Sequence, residues 1–559
     1  MTERSAHVPV LIVGGGPTGL TLSVLLSRFG VDSLLVERAA TTSDHPQAHV
    51  VNVRSMEILR LLGLDTAVYR EALDPSATYV RWVESLGGRE FASLDLAPQG
   101  DALVAMASLS PAMPVSCAQD RIEPLLAATA AKGPGRVAFA TELVDFDAGA
   151  SGVVARIASA GATRDVTADW LVGCDGAAST ARRRTGIEME GPGALGHVVG
   201  IYFHADLGGR FAERPAILYW TIDEQPGVLI AVNGADRWVL HAGWDKERTD
   251  LAEFTVERCR EIVRRAVGMD ADIDVRSVKP WTMTAEVAQT YRSGRALLAG
   301  DAAHRFPPTG GFGMNTGIQD AHNLAWKLAA VLDGHAGEGL IDTYECERRP
   351  VGAANRDFSV ANAMGLGELM GPAAADLARR LSDGDVTFEG LAADVQRVAD
   401  RERAHFDATG LALGFTYDGG AVVGDDSAPP RNDDPVRHYV PNARPGARAP
   451  HVAIDIDGAP ASTEDLFDGR WTLVTTAACE ASWNAAASQA PVPVAVVAVE
   501  HYDAGEKWAA LYEIDRGAVL VRPDGHVAWR TAVAPDDPAA TLATVLGKIL
   551  ALDGARASR

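Results

Sequence analysis

Residues 8–19 read VPVLIVGGGPTG, and residues 31–37 read VDSLLVE. The first six residues are all apolar, which is typical of a strand buried on both faces of a parallel sheet. The glycines then lead into a helix over residues 20–29, Gly30 ends that helix, and the second apolar run predicts another strand. The stretch therefore predicts a strand–helix–strand unit with parallel strands, the first unit of a Rossmann-like α/β fold.

The glycine turn predicts a dinucleotide site. It fits GxGxxG, a pattern that brings the backbone close to a pyrophosphate at a helix N-terminus. Glu37 ends the second strand, where a carboxylate can bind an adenosine ribose and disfavours a 2′-phosphate. The unit therefore favours FAD or NAD over NADP, and a glycine turn without a ligand is the alternative. The motif residues are Gly14, Gly16, Pro17, Thr18 and Gly19.

A second glycine-rich region follows another predicted strand, RALLAG at residues 295–300. The helix after it is expected to reach Leu332. Asp301 at the strand end can hold a ribitol hydroxyl, and the helix start can face the anionic edge of a flavin ring. A loop in which Asp301 only caps the helix is the alternative. The candidate residues are Asp301, Pro308, Gly311, Gly313, Met314 and Asn315.

A third motif, GCDG at residues 173–176, follows an apolar strand end and precedes a short helix. Asp175 and Arg182 are its candidate cofactor contacts. An Asp-Gly turn without a ligand is the alternative.

The remaining pattern predicts helices at 52–62, capped by Asn52, and at 120–131, capped by Asp120. Residues 187–285 are predicted to be mostly strands, interrupted by a helix at 250–267. Residues 419–450 are rich in Gly, Pro, Asp and Arg, and this composition predicts a linker that crosses the surface.

Beyond residue 450 the pattern predicts a further α/β domain. Its strands are expected at 471–475, 492–499 and 517–521, with a hairpin turn at Asp524-Gly525. Cys479 stands alone there, without the second cysteine of a CxxC redox pair, so an inert buried side chain is favoured.

Composition excludes several functions. The 559 residues contain 51 Lys+Arg and 74 Asp+Glu, a net charge of −23 that argues against a nucleic-acid partner. No apolar run approaches the ~20 residues that span a bilayer, and the first apolar run continues into glycines instead of a signal-peptide cleavage site. The five cysteines are far apart and form no metal-ligand pair, which favours the reducing cytoplasm and predicts no metal site.

The three motifs, in this order and at this spacing, resemble the single-component flavin aromatic hydroxylases of the para-hydroxybenzoate hydroxylase fold. The likeness covers about residues 8–400, and the tail resembles the thioredoxin-like domain of the phenol hydroxylase and polyketide hydroxylase branch. It implies an α/β protein in which a Rossmann-like FAD-binding domain carries an inserted β-sheet substrate domain. The implied boundaries are 1–186 and 281–418 for the FAD domain, with 75–115 as a candidate part of the substrate domain, 187–280 for the substrate domain, 419–450 for the linker and 451–559 for the thioredoxin-like domain.

The resemblance also assigns roles to individual residues. It implies that the first glycine motif and Glu37 bind FAD, that Arg38 lies by the adenosine phosphate, and that Gln119 contacts the flavin. Asp301 matches the FAD-binding acid, and residues 311–315 match the loop beside the isoalloxazine ring. Asp175 and Arg182 match a pair associated with both FAD and NAD(P)H. This chain departs from the family at one position. Several members have an arginine shortly after a proline near the flavin, whereas this chain has Pro46-Gln47 there, and the next arginine is Arg54.

The resemblance implies an FAD-dependent monooxygenase that uses NADPH or NADH and O2. A flavin C4a-hydroperoxide would hydroxylate an aromatic substrate, either a simple phenol or a polyketide. Baeyer–Villiger or epoxidising insertion, an FAD-dependent dehydrogenase and a non-catalytic flavin protein are the alternatives. A homodimer is left open.

No catalytic base follows from the pattern. Tyr219, His241 and Trp244 lie on the β-rich segment that would cover the flavin, and they are the candidates. Core packing is the favoured alternative for each of them.

Overall fold

The computed structural model describes residues 6–97 and 101–552. Within these ranges the strands form two eight-stranded sheets, one four-stranded sheet and two pairs of strands. This arrangement confirms the predicted fold class.

The first sheet is built around the opening strand. Its members are Ala6–Val13 (β1), Ser33–Val36 (β2), Arg136–Ala138 (β7), Thr141–Ala148 (β8), Val153–Ser159 (β9), Ala162–Gly173 (β10), Arg292–Ser293 (β16) and Ala296–Leu298 (β17). β1 runs parallel to β2 and β10, and β10 runs parallel to β17. The predicted parallel unit is therefore confirmed, and β1, β10 and β17 end at the same edge of the sheet.

Helices cover both faces of this sheet and bury its apolar strands. They are Pro17–Arg28 (α1), Val53–Leu61 (α2), Asp65–Glu71 (α3), Gln119–Ala130 (α5), Thr180–Thr185 (α6), Phe312–Leu332 (α9) and Gly339–Gly365 (α10). Between α3 and α5 in the chain, Asp101–Ala107 (α4) exposes Leu103 and Val104 to solvent. The predicted cap at Asn52 is confirmed, because its side chain accepts a hydrogen bond from the Ser55 N–H. The predicted cap at Asp120 is wrong. Ala118 precedes the first turn of α5, and Asp120 instead forms an ion pair with Arg237.

The second sheet contains the predicted β-rich segment and two earlier strands. Its members are Tyr79–Val83 (β4), Glu90–Asp95 (β5), Met189–His204 (β11), Leu218–Thr221 (β12), Gly227–Ala231 (β13), Arg237–Gly243 (β14), Asp274–Ala288 (β15) and His304–Arg305 (β18). The predicted boundary at residue 280 is wrong, because it falls inside β15. That strand pairs with β11 from Asp274 to Ala288.

Four further helices lie beside this sheet: Gly208–Glu213 (α7), Val256–Val267 (α8), Gly371–Ser382 (α11) and Phe388–Arg401 (α12). A fifth, Thr409–Gly414 (α13), packs instead on α2, where Ala412 and Leu413 contact Val53. α8 buries Cys259 and Val263 against one face, together with Ile201 and Leu240. Beside the two sheets, Val50–Val51 (β3) pairs with Val115–Ser116 (β6).

The tail forms a four-stranded sheet from Trp471–Thr475 (β21), Val494–Ala498 (β22), Ala518–Val521 (β23) and Val527–Thr531 (β24). β22 is parallel to β21, whereas β23 is antiparallel to both β21 and β24, the thioredoxin-like arrangement. The predicted hairpin is confirmed, with Asp524 and Gly525 between β23 and β24. The remaining elements are Ala453–Ile456 (β19), Ala459–Ser462 (β20), Thr463–Phe467 (α14), Ala477–Ala487 (α15), Gly505–Tyr512 (α16) and Pro538–Ile549 (α17).

The tail shares its core with the first domain. Trp326 of α9 packs edge-on against Trp471 of β21, with ring centroids 5.5 Å apart. The predicted linker is also less superficial than expected, since Ala443, Arg448 and Ala449 are buried. The prediction that all of residues 419–450 cross the surface is therefore wrong. None of the described helices combines the length and the apolar character needed to cross a bilayer.

Candidate active site

The first glycine turn is closely packed except at one residue. A Cβ atom on Gly14 would lie 2.3 Å from the carbonyl oxygen of Cys174, and one on Gly19 would lie 2.1 Å from the carbonyl oxygen of Gly14. Gly14 also has a φ of 109°, which favours glycine. A Cβ atom on Gly16 would meet nothing within 4 Å. A ligand can therefore approach the backbone at Gly16.

The helix start beside this opening has unsatisfied backbone groups. Gly16 is the N-cap of α1 and supplies no side-chain cap. Pro17 follows and lacks an N–H, so the N–H groups of Thr18 and Gly19 are the first that α1 can present to a ligand. The positive end of the helix dipole favours a negatively charged group here.

Glu37 lies at the end of β2, beside the same turn. Its carboxylate accepts hydrogen bonds from the N–H groups of Gly15 and Ala39, both at 2.7 Å. These bonds fix the carboxylate next to the opening, as the sequence predicted. Arg38, the next residue, is exposed to solvent.

The second glycine-rich loop produces a similar helix start. Gly311 is the N-cap of α9, with a φ of 69° and no side-chain cap, and a Cβ on Gly313 would meet nothing within 4 Å. Asn315 is buried and bonded within the protein, because its Nδ2 donates to the carbonyl oxygen of Val50 at 2.9 Å and its Oδ1 accepts from the Asn52 N–H at 2.9 Å. The side chain of Asn315 therefore positions β3 against the helix start, and only its backbone is left for a ligand.

The two helix starts lie together because α1 and α9 cross there. A Cβ on Gly300 would lie 2.6 Å from Oγ1 of Thr18, and one on Gly317 would lie 2.2 Å from the same atom. Small residues at this crossing let the helices approach closely. Thr18 thus has a packing role, and the two uncapped helix starts lie side by side.

Asp301 begins the second loop directly after β17. Asp301 is an exposed residue, although crowding by surrounding protein atoms raises the pKa of its carboxyl group against the opposing effect of His304 and Arg305. Pro308 is also exposed, and Met314 is half-buried. These three residues are therefore accessible to a bound cofactor.

Asp175 and Arg182 are positioning residues in this structure. The Asp175 carboxylate accepts hydrogen bonds from the N–H groups of Thr180 and Ala181, at 2.7 and 3.0 Å. The buried Arg182 donates to the carbonyl oxygen of Ala302 at 3.0 Å. The guanidinium of Arg182 thus supports the loop that carries Asp301, and its contact with a cofactor stays a prediction.

Gln119 is half-buried at the start of α5. Its Nε2 donates to Glu123 at 2.6 Å, and its Oε1 lies 3.5 Å from the N–H of Ala48. It therefore helps to hold the segment before β3.

Arg54 does not replace the missing arginine after Pro46. It is buried, and it donates to Glu57 and to the carbonyl oxygen of Asp524, both at 2.7 Å. Gln47 is exposed.

These features fit FAD. The uncapped start of α1 and the open side of Gly16 suit a diphosphate, and Glu37 suits the ribose. Asp301 suits the ribitol chain, and the uncapped start of α9 suits the negatively charged edge of the ring. The N–H groups and carboxylates of the two halves therefore match the two ends of one dinucleotide.

Comparison with known proteins agrees with this geometry. A model described as FAD binding domain matches residues 7–359, and one described as aromatic-ring hydroxylase, C-terminal, matches residues 442–551. The chain belongs to the FAD-dependent aromatic-ring hydroxylases. It is therefore an FAD-dependent monooxygenase.

Individual relatives match along nearly the whole hydroxylase. A putative polyketide hydroxylase from Streptomyces halstedii is 38% identical and is aligned over 98% of both chains. The flavin-dependent monooxygenase PieE, solved with FAD and substrate, has a TM-score of 0.88 at 33% identity, over 98% of this chain and all of that one. Aklavinone-11 hydroxylase, solved with FAD and aklavinone, has a TM-score of 0.82 at 34% identity, with the same two coverages, 98% and 100%.

The second sheet of the hydroxylase presents one face to the FAD domain. Gly200 on β11, His241 on β14 and Val228 on β13 are register partners, so their side chains share a face. Tyr202 is on this face too, in a cluster with Ala118 at the start of α5. We call this surface the cleft face.

Two of the three sequence candidates lie away from the cleft face. Tyr219 pairs with Leu229, whose side chain belongs to the core under α8. Trp244 packs on Phe254 beside the same core, and its Nε1 donates to the carbonyl oxygen of Thr249 at 2.9 Å. The structure thus places both side chains in core packing, the alternative that the sequence favoured. A shift of one residue along a strand reverses the face, and the sequence did not reveal the register.

Tyr219→Phe is expected to leave hydroxylation unchanged. Tyr219 is 1% exposed, burial raises its pKa, and its hydroxyl donates to the carbonyl oxygen of Arg214 at 2.6 Å. Loss of this bond should cost about 1 kcal/mol of stability. Turnover and urea unfolding of the holoenzyme test this, and a tenfold fall in turnover with normal FAD content would contradict it.

The sequence analysis overlooked two residues close to the third candidate. His45 and His49 precede β3, and both act on the half-buried His241. Their signal was the segment HPQAHV at residues 45–50, with two histidines four residues apart beside a predicted flavin loop. Separate segments supply His49 and His241, so only the tertiary structure shows the cluster.

Proposed function

We propose that the hydroxylase adds one oxygen atom to a phenolic ring of a polycyclic aromatic polyketide, with NADPH or NADH and O2 as co-substrates. The observation that carries the proposal is the relation between the FAD domain and the second sheet. The two uncapped helix starts lie side by side on the FAD domain, and the second sheet turns the cleft face, with its aromatic and apolar side chains, towards that domain. The polyketide substrate class is supported by the names of the relatives, and this chain's composition is compatible with it.

Different residues of the chain would bind the cofactor and orient the substrate. The open turn at Gly16, the N–H groups after Pro17, Glu37, Asp301 and the start of α9 would hold FAD. When bound, FAD supplies the oxygen-transfer chemistry. The protein binds both partners, orients the ring and keeps water away from it.

The cleft face fits a flat, largely apolar substrate. Val228, Val239 and Tyr202 lie on it, and Trp281 of β15 packs edge-on against His241 with ring centroids 5.4 Å apart. Aromatic walls with a few polar groups are typical of sites for drug-sized ring systems. A polycyclic phenol uses more of this wall than a single ring does.

A substrate panel tests the proposal. The FAD-loaded enzyme is given anthraquinone-type polyphenols and single-ring phenols, each with NADH or NADPH, and nicotinamide oxidation and product mass are measured. We expect polycyclic phenols to accelerate nicotinamide oxidation and to yield a product heavier by one oxygen atom with a new ring hydroxyl.

The other activities give different products. A Baeyer–Villiger reaction gives a lactone and an epoxidase gives an epoxide, which NMR separates from a phenol of equal mass. A dehydrogenase removes two hydrogens and turns over without O2. If no aromatic compound stimulates nicotinamide oxidation, the proposed activity is wrong.

Two further features belong to this proposal. The five cysteines are free, which fits the predicted cytoplasmic location. A homodimer remains a prediction, and light scattering on the purified holoenzyme tests it.

A further inference from the structure

One buried carboxylate holds the loop that carries Asp301 at two places. Oδ2 of Asp320, on α9, accepts a hydrogen bond from the Gly300 N–H at 3.1 Å and lies 2.6 Å from Nε2 of His304. Gly300 directly precedes Asp301 in the chain, and His304 follows it by three positions. A single oxygen atom on α9 therefore binds the loop on both sides of the proposed cofactor residue.

The other oxygen of Asp320 binds an arginine. Oδ1 accepts a hydrogen bond from Nε of Arg348 at 2.8 Å, and Nη2 of Arg348 donates to the carbonyl oxygen of Thr316 at 3.2 Å. The side chains of Asp320, His304 and Arg348 are all 0% exposed. Burial alone would raise the pKa of the Asp320 carboxyl group, but His304 and Arg348 outweigh burial and the pKa is lowered. Asp320 is therefore ionised near pH 7, and both of its oxygens face donors.

The backbone of the same loop has further fixed points. The N–H of Ala303 donates to the carbonyl oxygen of Gly300 at 2.8 Å, and Nη1 of Arg182 donates to the carbonyl oxygen of Ala302 at 3.0 Å. Asp301 is exposed, whereas its neighbours on both sides are buried. The loop thus presents one carboxylate outwards from a backbone that the protein holds in place.

The attachment to α9 connects two proposed cofactor contacts. The start of α9, at Gly311, suits the flavin ring, and Asp320 lies on the same helix. Asp320 therefore ties the Asp301 loop to the element that would bind the other part of the same half of FAD. A carboxylate that is already in place loses less conformational freedom when a ligand binds, so this attachment favours affinity.

We propose that Asp320 is a positioning residue for FAD, which binds Gly300 and His304 and thereby holds the Asp301 carboxylate where the ribitol chain of the cofactor meets it. The inference rests on the proposed cofactor role of Asp301 and does not depend on the substrate. It gives His304 a role as well, because its imidazole is the second point at which Asp320 holds the loop.

Asp320→Asn is the main variant. The amide has nearly the shape of the carboxylate but only one acceptor oxygen, so its NH2 group must face either Arg348 or the donors of the loop. We expect the Kd of the apoprotein for FAD to rise at least about tenfold, because a buried hydrogen bond to a charged group is lost. Isothermal titration calorimetry measures this Kd.

ADP distinguishes positioning from a general loss of structure. It carries the diphosphate and the adenosine of FAD without the ribitol and the ring, so it would use only the turn at Gly16 and Glu37. We expect Asp320→Asn to change the Kd for ADP by less than about twofold, because that end of the site is independent of the Asp301 loop. A general loss of structure would weaken the binding of both ligands.

The matched control is Lys327→Met on the same helix. Lys327 lies seven residues after Asp320, is also 0% exposed, and pairs with Glu347 at 2.7 Å instead of with the loop. We expect this variant to unfold at a lower temperature than the wild type. The ratio of its Kd values for FAD and ADP should nevertheless equal the wild-type ratio.

Two substitutions of His304 keep the test available if Asp320→Asn does not fold. His304→Leu offers Asp320 no N–H group, whereas the amide of His304→Gln can still donate one. We expect FAD to bind more weakly to the leucine variant and to regain affinity in the glutamine variant, with ADP binding unchanged in both. Equal affinity for FAD in the two variants would contradict the role given to His304 and Asp320.

Asp301→Ala separates failure of the inference from failure of the Asp301 assignment. If this variant binds FAD as the wild type does, the assignment is wrong and the inference fails with it. If it binds FAD weakly while Asp320→Asn binds normally, or if Asp320→Asn weakens FAD and ADP equally, only the positioning inference is wrong. In the double variant Asp320→Asn should add little to the effect of Asp301→Ala, and fully additive effects would also overturn the inference.

Discussion

Arg522→Met is expected to lower the free energy of unfolding by about 3–5 kcal/mol. Arg522 is 0% exposed, lies at the end of β23 and contacts two carboxylates. Its Nη1 and Nη2 donate to the two oxygens of Glu347 at 2.8 and 2.9 Å, and its Nε donates to Asp524 at 3.0 Å. The substitution keeps most of the apolar stem but leaves two buried carboxylates short of one cation.

The cost is large because the cluster has almost no access to water. Besides Arg522, its main cation is Lys327 of α9, whose Nζ lies 2.7 Å from Glu347. Burial and the neighbouring charges shift the pKa values of Glu347 and Lys327 in opposite directions. The pKa of Glu347 is lowered because Arg522 and Lys327 outweigh desolvation, whereas the pKa of Lys327 is lowered to about 8 because desolvation outweighs Glu347. The two cations together therefore keep Glu347 ionised.

The control is Arg379→Met in α11. Arg379 pairs with Asp376 and Asp383, but its side chain is 58% exposed. Exposed pairs contribute little, so we expect a change of less than about 1 kcal/mol. Urea unfolding of both variants, with saturating FAD, measures the difference. Equal midpoints for the two variants would show that the buried cluster does not stabilise the junction between the tail and the FAD domain.

Gly16→Ala is expected to produce a folded protein that binds FAD at least about tenfold more weakly, a loss of about 1.4 kcal/mol. Gly16 has an extended backbone, with φ of −77° and ψ of −177°, which alanine adopts without strain. Its added methyl group would meet no protein atom within 4 Å. The methyl group would instead occupy the opening through which the diphosphate approaches the helix start.

Two other glycines test this explanation. Gly14→Ala would place a methyl group 2.3 Å from the Cys174 carbonyl oxygen at a φ that favours glycine, so we expect loss of stability as well as of FAD. Gly209→Ala adds a methyl group to α7 with no atom within 4 Å, so we expect neither change. FAD titration and thermal unfolding of the apoprotein provide both measurements. Normal FAD affinity in Gly16→Ala would contradict the assignment of the diphosphate to this turn.

Local patterns were sufficient where neighbouring residues decide the structure. The VPVLIV run forms β1, Asn52 caps α2, and Asp524-Gly525 joins β23 to β24, because each depends on contacts within a few residues. Local reasoning failed for Asp120, which resembles a helix cap but pairs with an arginine 117 positions away. It also did not reveal that the Arg182 guanidinium binds the carbonyl groups of Ala177 and Ala302.

The register of the second sheet was beyond local reasoning. Tyr219 and His241 both lie in alternating strands that are consistent with either face. Their faces follow from the pairing of β12 with β13 and of β14 with β11, and only His241 reaches the cleft. The tail posed the same difficulty, because nothing near Arg522 in sequence indicates that its partner is Glu347, 175 residues earlier.

The amino-acid sequence alone determined the class of fold, the cofactor and the places where the chain meets it, because glycine turns, helix starts and terminal acids act over short distances. The tertiary structure decided which side chains lie on the cleft face, how His45 and His49 come near His241, and how the tail shares a core with the FAD domain. These properties depend on sheet register and on charges brought together from distant segments, and local composition does not encode either of them.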